Sequence, residues 1–394
     1  MISGASIAGL SAAYWLRRTG WDVTVLENAP EFRDGGQNVD VRGVGRDVLE
    51  LMGLFDTVKA RNTTETATVM VDESGTVVSE LPSDGPDGAT AELEVLRGDF
   101  ARALLEALPP GVDVHYDDSV ADVAERPDHV EVTTRSGRTL TAELVIVAEG
   151  VRSSTRDLVF PGEAEARELG ITMAFGTIPR TETDDDRWRW FTTVGGRQVH
   201  LRPDNHGTTR AILAFAGDET LLGLDREQSL ARLRDRFADA GWEAPRVLDG
   251  IADSEDLYVD RLTQIRMQRW YHGRVCLAGD AAWCVTPLGG GGASLALVSG
   301  YVLAAYLSTE PDQAAALAAW QRWMRPLVES VQKLPPGIDH LAYPRTRTGL
   351  TLTKLLTKAM TSRPLSALMS RMTQTMSTDQ PLPALPGQPV SRRG

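Results

Sequence analysis

The fold of this chain is decided by residues 2–10, which read ISGASIAGL. A short apolar strand comes first, Gly4 permits a tight turn, and the residues after it have the pattern of a helix. Gly9 lets that helix pack closely against the strand. The N–H groups of Ser6 and Ile7 lie at the positive end of the helix, where they can bind a pyrophosphate. The stretch predicts the first half of a dinucleotide-binding unit.

A second strand with an acidic end completes this unit. Residues 21–27, WDVTVLE, read as a parallel strand that ends at Glu27. A carboxylate at this point can accept hydrogen bonds from the hydroxyls of an adenosine ribose. Ser6 stands where the usual fingerprint has its middle glycine, so the approach to a phosphate is more crowded. We expect a Rossmann-like unit that binds a dinucleotide.

A second ligand-binding signal lies far along the chain. Residues 274–282, RVCLAGDAA, form a short apolar strand that ends in Gly279 and Asp280, and the run PLGGGG follows at residues 287–292. The Asp280 carboxylate can accept hydrogen bonds from a polyol, and an open glycine loop lets backbone N–H groups approach a flat ligand. A flavin dinucleotide would explain both signals at once.

The order of predicted elements indicates an α/β fold in two units. The stretch LVIVA at residues 144–148 is a fully apolar strand, as expected inside a parallel sheet covered on both faces. Longer alternating strands follow, typical of an antiparallel sheet. We expect a discontinuous Rossmann-like FAD-binding domain at residues 1–165 and 266–333, an antiparallel-sheet substrate domain at 166–265, a C-terminal helical segment at 334–377 and a disordered tail at 378–394.

Composition excludes several classes of function. The 394 residues carry a formal net charge of −13, which would repel a phosphate backbone, so we expect no nucleic-acid partner. The two cysteines, Cys276 and Cys284, do not suggest a disulfide framework or a dithiol reductase. We expect no membrane span, no signal peptide and no metal site, and a cytoplasmic protein that is a monomer or a homodimer.

Two further motifs carry a family resemblance. They are GGQNVD at residues 35–40 and RGDF at residues 97–100, together with the Asp280 segment. In this order the chain resembles, from Met1 to about Lys333, the single-component FAD-dependent aromatic monooxygenases of the p-hydroxybenzoate hydroxylase type. Within that group it looks most similar to tetracycline-inactivating monooxygenases and actinobacterial tailoring hydroxylases.

The resemblance implies a set of cofactor contacts along the whole of a noncovalent FAD. The pyrophosphate would be bordered by Gly4, Ser6, Ile7 and Gly9, and the adenosine ribose would be bound by Glu27. The ribityl region would be contacted by Arg97 and Asp280, with Gly279 before it. One side of the isoalloxazine would be bordered by Pro287, Gly290 and Gly292 and the other side by Asp40 and Arg42, and a further ligand-side turn would be formed by Glu149 and Gly150. Three positions depart from the family pattern: Asn28 replaces an arginine, Glu149 an aspartate and Trp283 a histidine.

The activity implied by the resemblance is hydroxylation of an aromatic or polyketide-like small molecule. NADPH or NADH would reduce the FAD, and O2 would react to give a C4a-hydroperoxyflavin that transfers one oxygen atom. The flavin does the difficult chemistry, so we identify no catalytic side chain. Baeyer–Villiger oxygenation on the same fold and a non-catalytic FAD-binding or drug-binding protein stay as alternatives. A flavin-dependent halogenase is disfavoured, because residues 188–192 read WRWFT and not the halogenase signature.

The predicted second domain supplies candidate substrate contacts. Phe175, Trp190, His200 and Phe215 fall on its strands and could line an apolar, planar pocket.

Overall fold

The computed structural model of the chain describes residues 1–82, 93–217, 221–334, 337, 341–360, 376, 378 and 380–386. The described strands are β1 (Ile2–Ser3), β2 (Val23–Leu26), β3 (Asn38–Asp40), β4 (Ala67–Val71), β5 (Val77–Pro82), β6 (Glu94–Leu96), β7 (Val112–His115), β8 (Val120–Glu125), β9 (Val130–Thr134), β10 (Thr139–Ala142), β11 (Val145–Val147), β12 (Glu165–Pro179), β13 (Arg187–Thr193), β14 (Arg197–Pro203), β15 (Thr208–Ala216), β16 (Tyr258–Arg266), β17 (Tyr271–His272) and β18 (Val275–Leu277). The described helices are α1 (Ile7–Arg18), α2 (Val44–Met52), α3 (Phe55–Lys59), α4 (Arg97–Glu106), α5 (Ser154–Val159), α6 (Arg226–Phe237), α7 (Ala244–Asp253), α8 (Asp280–Trp283), α9 (Gly292–Thr309), α10 (Gln313–Gln332) and α11 (Arg347–Met360).

A six-stranded sheet forms the nucleotide-binding unit. Its order is β17-β18-β11-β1-β2-β7, and every pair is parallel except β17 with β18. Helices α1 and α9 pack so closely that a Cβ on Gly300 would lie 2.5 Å from the backbone nitrogen of Ala12. The Ser11 hydroxyl donates to the Leu297 carbonyl oxygen at 2.6 Å, which fixes this contact. The N-terminal segment and the segment after the glycine-rich loop therefore share one core.

Helix α9 belongs to that core, although its composition resembles that of a membrane span. Among the described helices it alone is long and apolar enough to cross a bilayer, and 67% of it is buried inside the protein. The edge-on contact of Tyr301 with Trp15, with ring centroids 4.9 Å apart, is part of this packing. Its apolar character is explained by the burial of residues 294–305 in the protein core.

A seven-stranded sheet forms the second unit, and its membership corrects the expected domain boundary. The order is β16-β12-β15-β14-β13-β4-β5, antiparallel except for the parallel pair β13 and β4. Strands β4 and β5 were expected in the first domain at residues 1–165, but they complete this sheet. Alternating strands of this kind fit either unit, and only the pairing of β4 with the distant β13 decides the matter.

The second sheet has two covered faces. We call the face toward the nucleotide-binding unit the inner face and the face that packs on α6 and α7 the outer face. Leu288 of the glycine-rich loop packs against a buried cluster that includes Met173, Phe175 and Ile212 of the inner face. This contact places the sheet beside the end of the predicted flavin site.

Part of the C-terminal stretch that was expected to be disordered is packed. The Tyr301 hydroxyl donates to the Pro383 carbonyl oxygen at 2.9 Å, the Trp323 indole N–H donates to the Pro381 carbonyl oxygen at 3.2 Å, and Leu385 is buried. Proline carbonyls remain good acceptors, so a Pro-rich segment can dock on helices without regular structure of its own. Proline also predicts a helix break at Pro364, which lies outside the described residues.

Candidate active site

The turn after β1 builds the first part of the site. Gly4 has a φ of +108°, and a Cβ there would lie 2.4 Å from the Ala148 carbonyl oxygen. A Cβ on Gly9 would lie 1.9 Å from the Gly4 carbonyl oxygen. Both positions therefore require glycine, and the first-turn N–H groups of α1 are brought against the strand ends. This is the geometry that accommodates a pyrophosphate.

Glu27 is fixed beside the same turn. One carboxylate oxygen accepts from the Ala5 N–H at 2.8 Å, and the other accepts from the Ala29 N–H at 2.8 Å. Each carboxylate oxygen has a second lone pair, so the group keeps capacity for the two hydroxyls of a ribose. The predicted ribose contact is therefore held in place by backbone donors.

Arg97 connects the turn to a distant element. It is the first residue of α4, is exposed, and donates through Nη2 to the Ser6 hydroxyl at 2.9 Å. Gly36 lies directly on its side chain, since a Cβ on Gly36 would be 3.0 Å from the Arg97 Cβ. The GGQNVD and RGDF motifs thus converge on the helix end that would hold the phosphates, with a guanidinium that matches their charge.

Asp280 lies close to the same helix end. The preceding Gly279 has a φ of +61°, and a Cβ there would be 2.8 Å from the Ala8 Cβ in the first turn of α1. Surrounding protein raises the pKa of Asp280, and the charge of Arg97 opposes the rise, yet the residue is open to solvent. Among the described residues none donates a hydrogen bond to this carboxylate. Asp280 thus lies in a deep, open cleft with its acceptor positions unused, which suits a polyol chain.

The glycine-rich loop continues the cleft. Gly290 has a φ of +63°, and the space where its Cβ would lie is open. Gly291, with a φ of +72°, then starts α9. The Asp40–Arg42 segment is tied to this helix, because Ser294 accepts from the Arg42 N–H at 2.9 Å and donates to the Asp40 carbonyl oxygen at 3.2 Å. The loop and the segment therefore meet at the same end of α9, as the predicted isoalloxazine contacts require.

Glu149 has a different environment from the other predicted contacts. Its oxygens accept from the hydroxyls of Ser3, Ser153 and Thr155 and from the Thr155 N–H, at 2.6 to 3.1 Å. These four bonds join β1 to the start of α5 and fix the turn at Gly150. Glu149 thus positions the turn, and the space where a Cβ of Gly150 would lie is open.

The residues in this cleft fit an FAD dinucleotide. The residues predicted to contact the phosphates, the ribose, the ribityl chain and the ring follow one another from Gly4 and Glu27, through Arg97 and Asp280, to the glycine loop at Gly290. The fit is supported by Gly4 and Gly9, where a Cβ would collide with backbone oxygens, and by the open Asp280 carboxylate. Burial also raises the pKa of Cys284 far above its usual range, so this thiol stays neutral beside the site.

The four predicted substrate residues do not share one face. Phe175 stacks on Tyr258 with ring centroids 6.2 Å apart, and Trp190 stacks on His200 at 4.6 Å, all on the inner face. Phe215 is the exception and a correction to the prediction. Its ring packs on Phe237 of α6 in the outer-face core and cannot reach the cleft. Every residue of β15 from Thr209 onward is buried, so its sequence gives no polar alternation to mark the inner face.

His200 is a neutral hydrogen-bonding group. Its Nε2 lies 2.9 Å from the Gln198 amide oxygen, while the Gln198 amide nitrogen donates to the Ala342 carbonyl oxygen at 2.7 Å. The Gln198 oxygen must therefore accept, so His200 carries its proton on Nε2. Burial, together with the charge of Arg202, lowers the pKa of His200 to about 3. At neutral pH it cannot act as a strong base toward a phenol.

Sequence reasoning missed a buried ionic group beside these rings. Arg202 donates through Nε to Glu65 at 3.0 Å and through Nη2 to Glu94, and its guanidinium lies 3.5 Å from the ring centroid of Trp188. The inner-face alternation of Gln198, His200 and Arg202 on β14 could have indicated the arginine. No sequence pattern near Arg202 predicts its pairing with two glutamates from other elements.

Comparisons with known proteins identify the family and the fold. The sequence profile of a family described as FAD binding domain matches residues 1–319. An uncharacterized protein of Mycobacterium tuberculosis is 37% identical over 319 residues, which cover 79% of this chain and 85% of that protein. A flavin-dependent monooxygenase from an unknown prokaryotic organism is 33% identical and spans 84% of this chain and 87% of its own length. The crystal structure of tetracycline destructase Tet(55) superposes with a TM-score of 0.80 at 28% identity, covering 96% of this chain and 97% of that chain.

Proposed function

The chain belongs to the FAD binding domain family and is a flavin-dependent monooxygenase, and we propose that it uses NAD(P)H and O2 to hydroxylate an aromatic or polyketide-like small molecule. FAD is its cofactor. The proposal concerns the electron donor, the type of oxygen insertion and the substrate class.

One observation supports the proposal most strongly. The FAD cleft ends at the glycine-rich loop, and Leu288 of that loop packs directly on the inner face of the second sheet. Tyr258 is 51% exposed on this face; burial and the charge of Asp260 raise its pKa, Arg152 and Arg97 oppose the rise, and Asp280 adds to it. An aromatic surface therefore borders the end of the cleft where the flavin ring would lie, and a flat ligand there would be close to it.

Bound FAD would accept a hydride from NAD(P)H and, once reduced, activate O2 for oxygen transfer. The chain's own residues hold and shield this chemistry. Asp280 and Arg97 would fix the ribityl and phosphate groups, and Asp40 with its ion pair to Arg42 at 2.9 Å would flank the ring. The buried side chains of the inner face would keep bulk water from the reacting atoms.

The neutral state of His200 limits what the protein does to the substrate. His200 carries its proton on Nε2, and its Nδ1 is buried without a partner among the described residues. With its lowered pKa, this imidazole does not remove a proton from a substrate hydroxyl at neutral pH. The proposed reaction therefore favours substrates that are already electron-rich, such as phenols and enols. Tetracycline, after which the related destructase is named, is one member of this class to test first.

A two-part experiment tests the proposal. Purified protein with bound FAD is mixed anaerobically with NADPH in the presence of a panel of phenols, enols and tetracyclines, and flavin bleaching is followed. Each active ligand is then incubated with NADPH and O2, and the product is examined by mass spectrometry for one added oxygen atom. Oxygen on a ring carbon supports hydroxylation. Oxygen inserted beside a ketone would indicate Baeyer–Villiger chemistry, and bleaching without any oxygenated product would refute the proposed function.

A surface variant gives the matched control for this experiment. Asp235 is exposed on α6, on the outer side of the second sheet. Asp235→Ala should bind FAD and turn over ligands as the wild type does, whereas Asp280→Ala should lose FAD. Cytoplasmic localisation and the monomeric or homodimeric state stay as predictions, to be tested by fractionation and light scattering.

A further inference from the structure

Three buried charged side chains lie where the two units of the protein meet. We call Glu65, Glu94 and Arg202 the carboxylate cluster. Their side chains are 0%, 3% and 8% exposed. Glu94 comes from β6 beside the FAD cleft, Arg202 from β14 of the second sheet, and Glu65 from the segment that enters β4. The cluster therefore contains two carboxylates and one guanidinium from three separate elements.

The charges of the cluster do not balance if both carboxylates are ionised. A buried charge without a partner is costly, so a group of this kind takes up a proton instead. Both carboxylates accept from the same guanidinium, Glu65 from Nε at 3.0 Å and Glu94 from Nη2, and the second Glu65 oxygen has no hydrogen-bond partner among the described residues. A single guanidinium charge therefore faces two buried carboxylates. One shared proton would leave the cluster neutral.

The surroundings of the cluster act in the same direction. Burial raises the pKa of both carboxyls, that of Glu94 to about 8, and Arg202 opposes the rise. The other groups that face the pair are Asp40, whose negative charge raises the pKa further, and Asn38, whose amide donates to Glu94 at 2.8 Å. A pair in this setting titrates as a unit with one apparent pKa for the shared proton.

The cluster is in contact with the aromatic part of the inner face. The guanidinium of Arg202 covers the ring of Trp188, and the Trp188 and Trp190 ring centroids are 4.6 Å apart. Trp190 in turn stacks on His200. A guanidinium bonded to two carboxylates is planar and fixed, which gives the cation–π contact a single geometry. Any movement of Arg202 would be transmitted to these two indole rings.

We propose that Glu65 and Glu94 share one proton at neutral pH, and that the neutral cluster makes Arg202 a positioning residue for the Trp188–Trp190 wall that receives the substrate ring. The first half concerns the protein alone. The second half rests on the proposed function, because it names the ring that the wall receives. Loss of the shared proton leaves a buried negative charge, displaces Arg202 and loosens the wall.

Infrared spectroscopy tests the shared proton without any turnover. Wild-type protein with bound FAD should show a protonated carboxyl stretch at about pH 7 that disappears on titration to about pH 9.5. Glu94→Gln should lack this band, because one glutamate and one arginine remain and both stay charged. Glu106→Gln, which alters a surface ion pair with Arg61, is the matched control and should keep the band. Equal carboxyl bands in the wild type and Glu94→Gln at about pH 7 would overturn the shared proton.

Ligand binding tests the positioning role. For a ligand that stimulates flavin bleaching, KM in the wild type should rise several-fold above about pH 8, while kcat changes little. Glu94→Gln should remove this pH dependence, because glutamine is a neutral isostere of the protonated acid. Arg202→Lys keeps the charge but loses the planar fork, and it should raise KM by about tenfold or more.

The outcomes separate this inference from the proposed function. If no ligand is oxygenated, the proposed function fails, while the infrared titration still decides the shared proton. If Glu94→Gln and Arg202→Lys leave KM and its pH profile unchanged for an active ligand, the positioning role is wrong and the monooxygenase proposal stands. Arg202→Ala is avoided, because it would leave two buried carboxylates without a counter-ion and could unfold the protein.

Discussion

Replacement of Asp280 by asparagine should weaken FAD binding without weakening the apoprotein. The carboxylate is open, lies beside the first turn of α1 and receives no hydrogen bond from the described residues, so its acceptor capacity is available to the ribityl hydroxyls. A hydrogen bond to a charged group contributes about 1.5–3 kcal/mol and a neutral one about 0.5–1.5 kcal/mol. Losing the charge at two such bonds costs about 2–3 kcal/mol, which raises the Kd of FAD roughly 30- to 150-fold.

The effect on the apoprotein has the opposite sign. The folded-state pKa of Asp280 is raised above its ordinary value of 3.8, so the ionised side chain destabilises the fold increasingly as the pH rises above that value. Asp280→Asn removes this cost, and the apoprotein should melt at the same or a slightly higher temperature at neutral pH. Fluorescence titration with FAD measures the Kd, differential scanning calorimetry measures the melting, and Asp235→Asn is the surface control. An Asp280→Asn protein with wild-type FAD affinity would refute the assigned ribityl contact.

Three further predictions test the outer face, the cluster and the catalytic cycle. Phe215→Ala should lower the free energy of unfolding by about 3–5 kcal/mol in urea titrations and leave the Kd of FAD unchanged, because its ring packs on Phe237 away from the cleft; a change in FAD affinity would contradict this. Since the folded-state pKa of Glu94 is raised from 4.5 to about 8, its protonated form stabilises the fold at low pH and this contribution is lost as the pH rises through that range. The melting temperature of Glu94→Gln should therefore change less between pH 4.5 and about pH 8 than that of the wild type. An equal pH dependence of the two melting temperatures would contradict this prediction. Anaerobic reduction of FAD by NADPH should be slow until an aromatic ligand fills the cleft, and equal stopped-flow rates with and without ligand would exclude such gating.

The nucleotide-binding unit was predictable because its signals are local. Gly4, Gly9 and Glu27 lie within one strand–helix–strand segment, and each is required by a short-range geometric constraint. Asp280 and the glycine loop are equally local, and a shared ligand was enough to link them to the start of the chain. The FAD-binding fold and the family resemblance inferred from these motifs are confirmed by the matched family and by the superposition on Tet(55).

The second sheet was less predictable because its constraints are not local. Burial on both faces removes the polar alternation that would have placed Phe215 on the outer face and Phe175 on the inner face. Besides β5, strand β4 pairs with the distant β13, and no pattern in either strand specifies the other. The carboxylate cluster has the same origin, since its charges meet only after three separate segments have folded together.

The position of the carboxylate cluster also makes the β4–β5 hairpin a replaceable part of the protein. The chain leaves the nucleotide-binding unit and returns to it at adjacent points: Asn62 forms a bridge with Val95, and the Thr63 N–H donates to the Glu94 carbonyl oxygen at 3.0 Å. Arg202 holds both the outgoing and the returning segment through their glutamates. The β4–β5 hairpin is thus an insert whose two ends are held together at the nucleotide-binding unit. We expect that a corresponding hairpin from a relative that keeps the two glutamates can replace it, which would alter the edge of the second sheet and leave the FAD cleft in place.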